Sequence, residues 1–172
     1  MEFIELVKKR YSVRKFLEKK VEEDKIALLA ESGRLAPTAA NLQPQRILVI
    51  DSAEGLETVK QCTPYHFNAP LVFLVCYDTT ASWKRKFDGK DMGEVDASII
   101  TTHIMLAAES IGLGATWVAY FDPEVVKEKL ALPKGVEPVA FLPVGYPAAD
   151  SKPSQSHFSR FETDRTVFRN SF

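Results

Sequence analysis

The sequence predicts an α+β fold in which a mixed central sheet is sandwiched between helices. Short, continuous apolar runs rich in β-branched residues, "RILVID", "LVFLVCYD" and "EPVAFLPVGYP", read as buried strands. Stretches with apolar residues at helical spacing outnumber them. Strands and helices do not alternate cleanly, which argues against a purely parallel sheet. At 172 residues, 45% hydrophobic and 26% charged, the chain suits one domain over residues 1–172 with a sizeable core.

Taken in order, "EFIELVKKR" sets Phe3, Leu6, Val7 and Arg10 at helical spacing, acids leading and bases trailing as the helix dipole prefers. "EEDKIALLAESGRLA" repeats the pattern and should end before Pro37. "AEGLETVKQC", between the first two strands, reads as a helix. "VDASIITTHIMLAAESIGLG" is apolar nearly all round and closes on Gly112 and Gly114, so a long buried helix is expected, with His103 a hydrogen-bonded core histidine. "ATWVAYF" reads as a short strand. "DPEVVKEKLAL" reads as a helix capped by Asp122 with Pro123 at its first position. After the last strand, "YPAADSKPSQSHFSR" resembles a linker, yet Phe158, Phe161, Val167, Phe168 and Phe172 are too aromatic for an idle one. This stretch should pack on something, another subunit being one candidate.

Several function classes fall away. A net charge of -1 disfavours nucleic acid and membrane surfaces as partners. No apolar run has the length of a membrane span, and no signal-peptide core is expected at the N-terminus. Cys62 and Cys76 form neither a CxxC pair nor a metal cluster, which suits a reducing, cytoplasmic setting. GxGxxG, Walker A and GxSxG motifs are absent. His66, His103 and His157 show no two-histidine metal spacing, and Asp96 reads as a helix or core-edge acid, so no metal is expected.

Three segments carry polar groups in unusual company. In "KKRYSVRKF", Arg10, Ser12 and Arg14 alternate, so an extended chain would aim all three one way. Such a set suits an anion, because guanidinium matches phosphate in fork geometry; complementing a helix end explains Arg10 equally well. "APTAANLQPQR" places Thr38, Asn41 and Gln43 between Pro37 and Pro44, either an ordinary connection or a pinned loop offering amides. "GLGATWVAYFDP" ends a strand on Trp117 and Tyr120, either core aromatics or the edge of a site for a flat ring.

Together, "R-x-S-x-R", the "P-T-x-x-N-x-Q-P" loop and "GLG-x-x-W" leading to "FDP", with "GYP" and a late arginine, resemble the nitroreductase family in order and spacing over about residues 3–165. The resemblance is to its short FMN-dependent members. It implies a three-layer α-β-α fold and an intertwined homodimer with FMN sites at the interface, and residues 150–172 would be a C-terminal extension packing on the partner subunit. It further implies that Arg10 and Ser12 hold the FMN phosphate together with Arg160, while Lys8, Lys9 and Lys15 stay solvated. Arg14 would stand near the flavin pyrimidine edge. Pro37, Thr38, Ala39, Asn41 and Gln43 would reach the flavin of the other subunit. Trp117 leads into Val118, Ala119 and Tyr120, whose backbone would approach the ring. Larger relatives carry Glu-Gly where this chain has Ala119-Tyr120, so only backbone contacts carry over. His66, Asn68 and His157 are further candidates.

The activity so implied passes electrons from NADH or NADPH through bound FMN to a small flat acceptor, nitroaromatic or quinone, by a ping-pong mechanism with no catalytic side chain. The alternative is a flavin-binding protein for storage, sensing or processing without NAD(P)H turnover. Residues 82–91, "SWKRKFDGKD", would form a lid or helix over the acceptor slot.

Overall fold

The computed structural model describes residues 2–172. At its centre lies a sheet of β1 (Gln45–Ile50), β2 (Leu71–Asp78), β3 (Gly114–Ala115) and β4 (Val136–Gly145), in the order β1-β2-β4-β3. These strands pair antiparallel. A parallel bridge between Ser12 and Ala115 adds the N-terminal segment beside β3, which makes the sheet mixed.

Leu71 to Cys76 are all buried. Successive side chains of a strand point to opposite faces, so continuous burial requires cover on both. On one face Leu71, Phe73 and Val75 pack with Leu29 of α2 (Glu23–Arg34) and with Ile100 and Ile104 of α4 (Gly93–Ser110). On the other, Val72, Leu74 and Cys76 pack with Val59 of α3 (Ala53–Cys62) and Val126 of α5 (Pro123–Lys129). Three layers, α-β-α, result.

Local chemistry sets the ends of these elements. Ser52 Oγ accepts the Gly55 amide at 3.1 Å to start α3, and Asp122 accepts the Glu124 amide at 2.9 Å to start α5. Past α4, Gly112 takes φ +79° and the Leu113 amide reaches back to Ala108 O at 2.9 Å. Gly114 is no cap: it lies in β3, where a Cβ would stand 2.4 Å from Val13 Cγ2.

Three further expectations are corrected. The strand expected over "ATWVAYF" is reduced to Gly114–Ala115 and one bridge, Val118 to Phe141. The cause lies in β4. Pro143 accepts the Thr116 amide at 3.2 Å but has no N–H to return, so the ladder breaks there. The long helix α4 buries one face only; Val95, Thr102 and His103 lie on its exposed side, and His103 is not a core histidine. Residues 82–91 are a hairpin-like excursion rather than a helix, closed by a Lys84–Asp91 bridge and a turn through Gly89 at φ +72°. Phe87 at its tip is fully exposed. Among the described residues no helix is long and apolar enough to cross a membrane.

Candidate functional site

Before β1 the chain runs through α1 (Phe3–Lys9) into an extended stretch. Arg10 caps α1, its amide bonded to Leu6 O at 3.0 Å. Val13 is wholly buried and its amide donates to Ala115 O at 3.1 Å, which fixes the flanking residues in place. Arg10 and Ser12 are half-buried, and Arg14 is exposed.

The charges of this stretch divide sharply. Lys8 pairs with Glu5 at 3.0 Å, Lys9 with Glu109 at 3.2 Å and Lys15 with Asp150 at 2.5 Å. Arg10 and Arg14 have no carboxylate within 4.0 Å among the described residues, nor does Arg160. Among the described residues the one side-chain partner of Arg10 is Met105 Sδ, 4.0 Å from Nη1. The lysines of this stretch thus have carboxylate partners and the arginines do not.

Arg14 faces a shallow recess of about 190 Å³ whose floor is Thr116 to Tyr120 and whose wall is Tyr65 and Phe67. The Val118 amide is committed to Phe141 O at 2.9 Å, whereas the amides of Ala119 and Tyr120 make no hydrogen bond among the described residues. Of the three candidate backbone contacts, two therefore have a donor to offer. Trp117 and Tyr120 are exposed beside them. Buried Thr63 ties the wall to the floor: its hydroxyl donates to Tyr120 O at 2.7 Å and accepts the Tyr65 amide at 3.2 Å. The Tyr65 and Tyr120 rings meet edge to face at 5.3 Å.

In the segment "TPYHFNAP" Tyr65 and Phe67 line this recess, and His66 and Asn68 do not. His66 Nδ1 accepts the Asn68 amide at 3.0 Å, and burial pulls its pKa below the ordinary histidine value. Phe67 sits at φ +53°, a conformation that bulky residues avoid and that clusters at functional sites. An aromatic pair two apart was the signal available in the sequence.

Residues 37–43 form a separate feature, turning through a 3-10 segment (Ala39–Asn41) with Ala40, Asn41 and Gln43 all at positive φ. Thr38 Oγ1 accepts the Gln43 amide at 3.1 Å. The Ala39 amide is not free for a ligand, since it donates to Asp96 Oδ1 at 2.9 Å. None of Pro37, Thr38, Ala39, Asn41 or Gln43 lines the recess of Arg14. The tail does approach the N-terminal stretch: the Tyr11 hydroxyl bonds Ser151 Oγ at 3.2 Å, and the His157 ring meets Tyr11 with 6.4 Å between centroids. Arg160, three residues further, donates to Ser156 O and Ser159 O. Among the described residues no cluster of His, Cys, Asp or Glu could hold a metal.

Residues 7–65 and 64–146 match the sequence profile of the Nitroreductase family. The chain belongs to that family. A nitroreductase family protein from Clostridium difficile, known from its crystal structure, is 38% identical, with a TM-score of 0.94 and 100% of each chain covered. An FMN-dependent nitroreductase, also from Clostridium difficile, is 26% identical at a TM-score of 0.82, covering 99% of this chain and 100% of its own. Among curated proteins, a candidate NADH dehydrogenase/NAD(P)H nitroreductase from Methanothermobacter thermautotrophicus is 31% identical over 155 residues. That match spans 86% of this chain and 78% of the relative. The nitroreductase fold is thus shared over essentially the whole chain.

Proposed function

We propose that this nitroreductase family chain is an FMN-dependent oxidoreductase that takes electrons from NADH or NADPH and delivers them, ping-pong fashion, to a small flat nitroaromatic or quinone acceptor. The observation that carries this is the division of charge in residues 8–15, where every lysine has a carboxylate partner and neither arginine does. A dianionic phosphate supplies what Arg10 and Ser12 lack, with Arg160 as a third contact from the tail.

Bound FMN would supply the chemistry, accepting a hydride equivalent from nicotinamide and releasing electrons to the acceptor. The chain's own part is to bind and tune. The unpaired guanidinium of Arg14 favours negative charge on the near edge of a ring in the recess, an electrostatic preorganisation. The open amides of Ala119 and Tyr120 would be the donors offered to a bound ring, while Val118, anchored on Phe141, holds them at the recess floor. Trp117, Tyr65 and Tyr120 bound the slot with aromatic surface suited to flat molecules.

The loop of Pro37, Thr38, Ala39, Asn41 and Gln43 lies outside the recess of its own chain, which supports a homodimer in which it serves the partner's flavin. Asn41 and Gln43 are exposed and able to do so. Exposed apolar residues of α1 and α4 and the aromatic residues of 150–172 supply surface for that dimer. A reducing, cytoplasmic setting suits the two free, buried cysteines.

The test is to purify the protein, identify any released flavin, and follow NADH and NADPH oxidation with a quinone or nitroaromatic present. Stoichiometric FMN and parallel double-reciprocal lines are expected. Bound FMN without nicotinamide oxidation would replace turnover by flavin storage or sensing, and a chain that takes up no FMN would end the reading.

A further inference from the structure

Asp96 lies in the first turns of α4, 2% exposed, and its carboxylate turns away from its own helix. Oδ1 accepts the Ala39 amide at 2.9 Å across 57 positions of sequence. Oδ2 is buried with no partner among the described residues. A buried carboxylate oxygen without a donor costs free energy that an apolar residue would avoid. What is gained for that cost lies at the other oxygen.

From Thr38 to Gln43 the loop is bonded mainly to itself. The Asn41 amide goes to Thr38 O, the Leu42 amide to Ala39 O and the Gln43 amide to Thr38 Oγ1. The bond to Asp96 is the one hydrogen bond that ties these residues to the rest of the chain among the described residues. Meanwhile Ala40, Asn41 and Gln43 hold left-handed backbone angles, which non-glycine residues keep only where the surroundings over-determine them.

We propose that Asp96 is a positioning residue that clamps the 37–43 loop in the shape its flavin contact requires. The clamp acts through the Ala39 amide and touches neither cofactor nor acceptor. It rests on the FMN reading above for its purpose, though not for its existence.

Three variants test it. Asp96→Ala removes the acceptor, Ala39→Pro removes the donor, and Asp96→Asn keeps an acceptor oxygen in place. Proline is acceptable at 39 because Thr38 is already extended, at φ −130° and ψ 157°. In the flavin-free protein, amide exchange over residues 38–43 should rise about ten-fold in Asp96→Ala, the loss of one hydrogen bond. The FMN dissociation constant should rise by a similar factor, about ten-fold, in Asp96→Ala and in Ala39→Pro. Asp96→Asn should stay within about three-fold of wild type. The double variant Asp96→Ala/Ala39→Pro should bind no more weakly than either single one, because both break one bond.

Wild-type exchange over 38–43 in Asp96→Ala overturns the clamp, as does equal damage from Asn and Ala, or additive losses in the double variant. If Asp96→Ala does not fold, Ala39→Pro and Asp96→Asn decide. A wild-type chain that binds no FMN overturns the cofactor reading, and the exchange measurement then judges the clamp alone.

Discussion

Arg10 and Lys9 are chain neighbours of the same charge, and the fold gives them opposite uses. Lys9 pairs with Glu109, while Arg10 has no carboxylate partner among the described residues and is available for the proposed phosphate contact. Arg10→Ala should weaken FMN binding by about ten- to a hundred-fold, the value of one charge-assisted contact, whereas Lys8→Ala should leave it unchanged. Fluorescence titration of FMN decides both. Cys76 shows the converse, a reactive group kept idle. Burial pushes its thiol up to about 12 and raises that of Cys62 as well, so both stay protonated at neutral pH. An aromatic disulfide reagent should modify neither until the chain is unfolded in guanidinium. At this scale the sequence was readable where a pattern was local, as with the extended stretch after α1 that buries Val13 between Ser12 and Arg14. It was silent on which cations would be neutralised, because Glu109 and Asp150 arrive from far along the chain. It left His66 and Asn68 as open candidates and passed over Tyr65 and Phe67, which line the recess beside the left-handed turn at Phe67.

Elements with one-dimensional signals came through best. The apolar run of β2 and the capped start of α5 match their boundaries, whereas β3 stops where Pro143 on a distant strand cannot return an amide. Contacts between elements set two further expectations. Gly93 lets α4 approach β2: a Cβ there would stand 2.0 Å from Tyr77 Cδ2. Gly93→Ala should therefore destabilise the chain by about 1–3 kcal/mol in urea unfolding, an overpacking cost. At the start of α2, the Tyr146 hydroxyl donates to Glu22 Oε2 at 2.6 Å and Lys19 Nζ lies 3.0 Å from Oε1. Bonds from Tyr146 first and Lys19 second hold Glu22 at about 2, against an ordinary 4.5. A carboxylate whose pKa is lower in the folded chain stabilises above the unfolded value and loses that contribution as pH falls. The urea midpoint should thus drop between pH 4.5 and about 2, and Glu22→Gln should flatten the drop. An equally steep loss in the variant would place the acid sensitivity elsewhere.

The whole molecule leaves apolar surface uncovered on one side. α1 buries no residue, with Phe3 63% and Ile4 59% exposed, and the outer face of α4 borders a groove lined by Phe3, Val95, Ile99 and His103. If two copies close over this surface and each loop 37–43 serves the opposite flavin, lesions will sort between sites. Arg10→Ala in one chain and Ala39→Trp in the other should give, in differently tagged heterodimers, about one FMN per dimer, with both homodimers nearly empty. No flavin in a verified, folded heterodimer would show that each site is built within one chain. Such quaternary logic was legible only by resemblance. Composition showed that residues 150–172 are rich in aromatics, and α4 looked buried because it is apolar on faces that the single chain does not cover.

The central position of β2 also has a consequence for synthesis. Its two neighbours, β1 and β4, stand on either side of it in the sequence, and β4 begins only at Val136. A nascent chain that has emerged as far as Asp78 carries eight mostly apolar residues with one edge open. At about 5–20 residues per second, that edge waits several seconds before β4 leaves the ribosome. During that interval another unfinished copy could dock on the same edge, so chaperone demand should peak while residues 79 to 135 are being made. Stalled chains ending before Val136 should be found with ribosome-associated chaperones or in aggregates, and chains stalled far enough past Gly145 for β4 to emerge should be largely released from both.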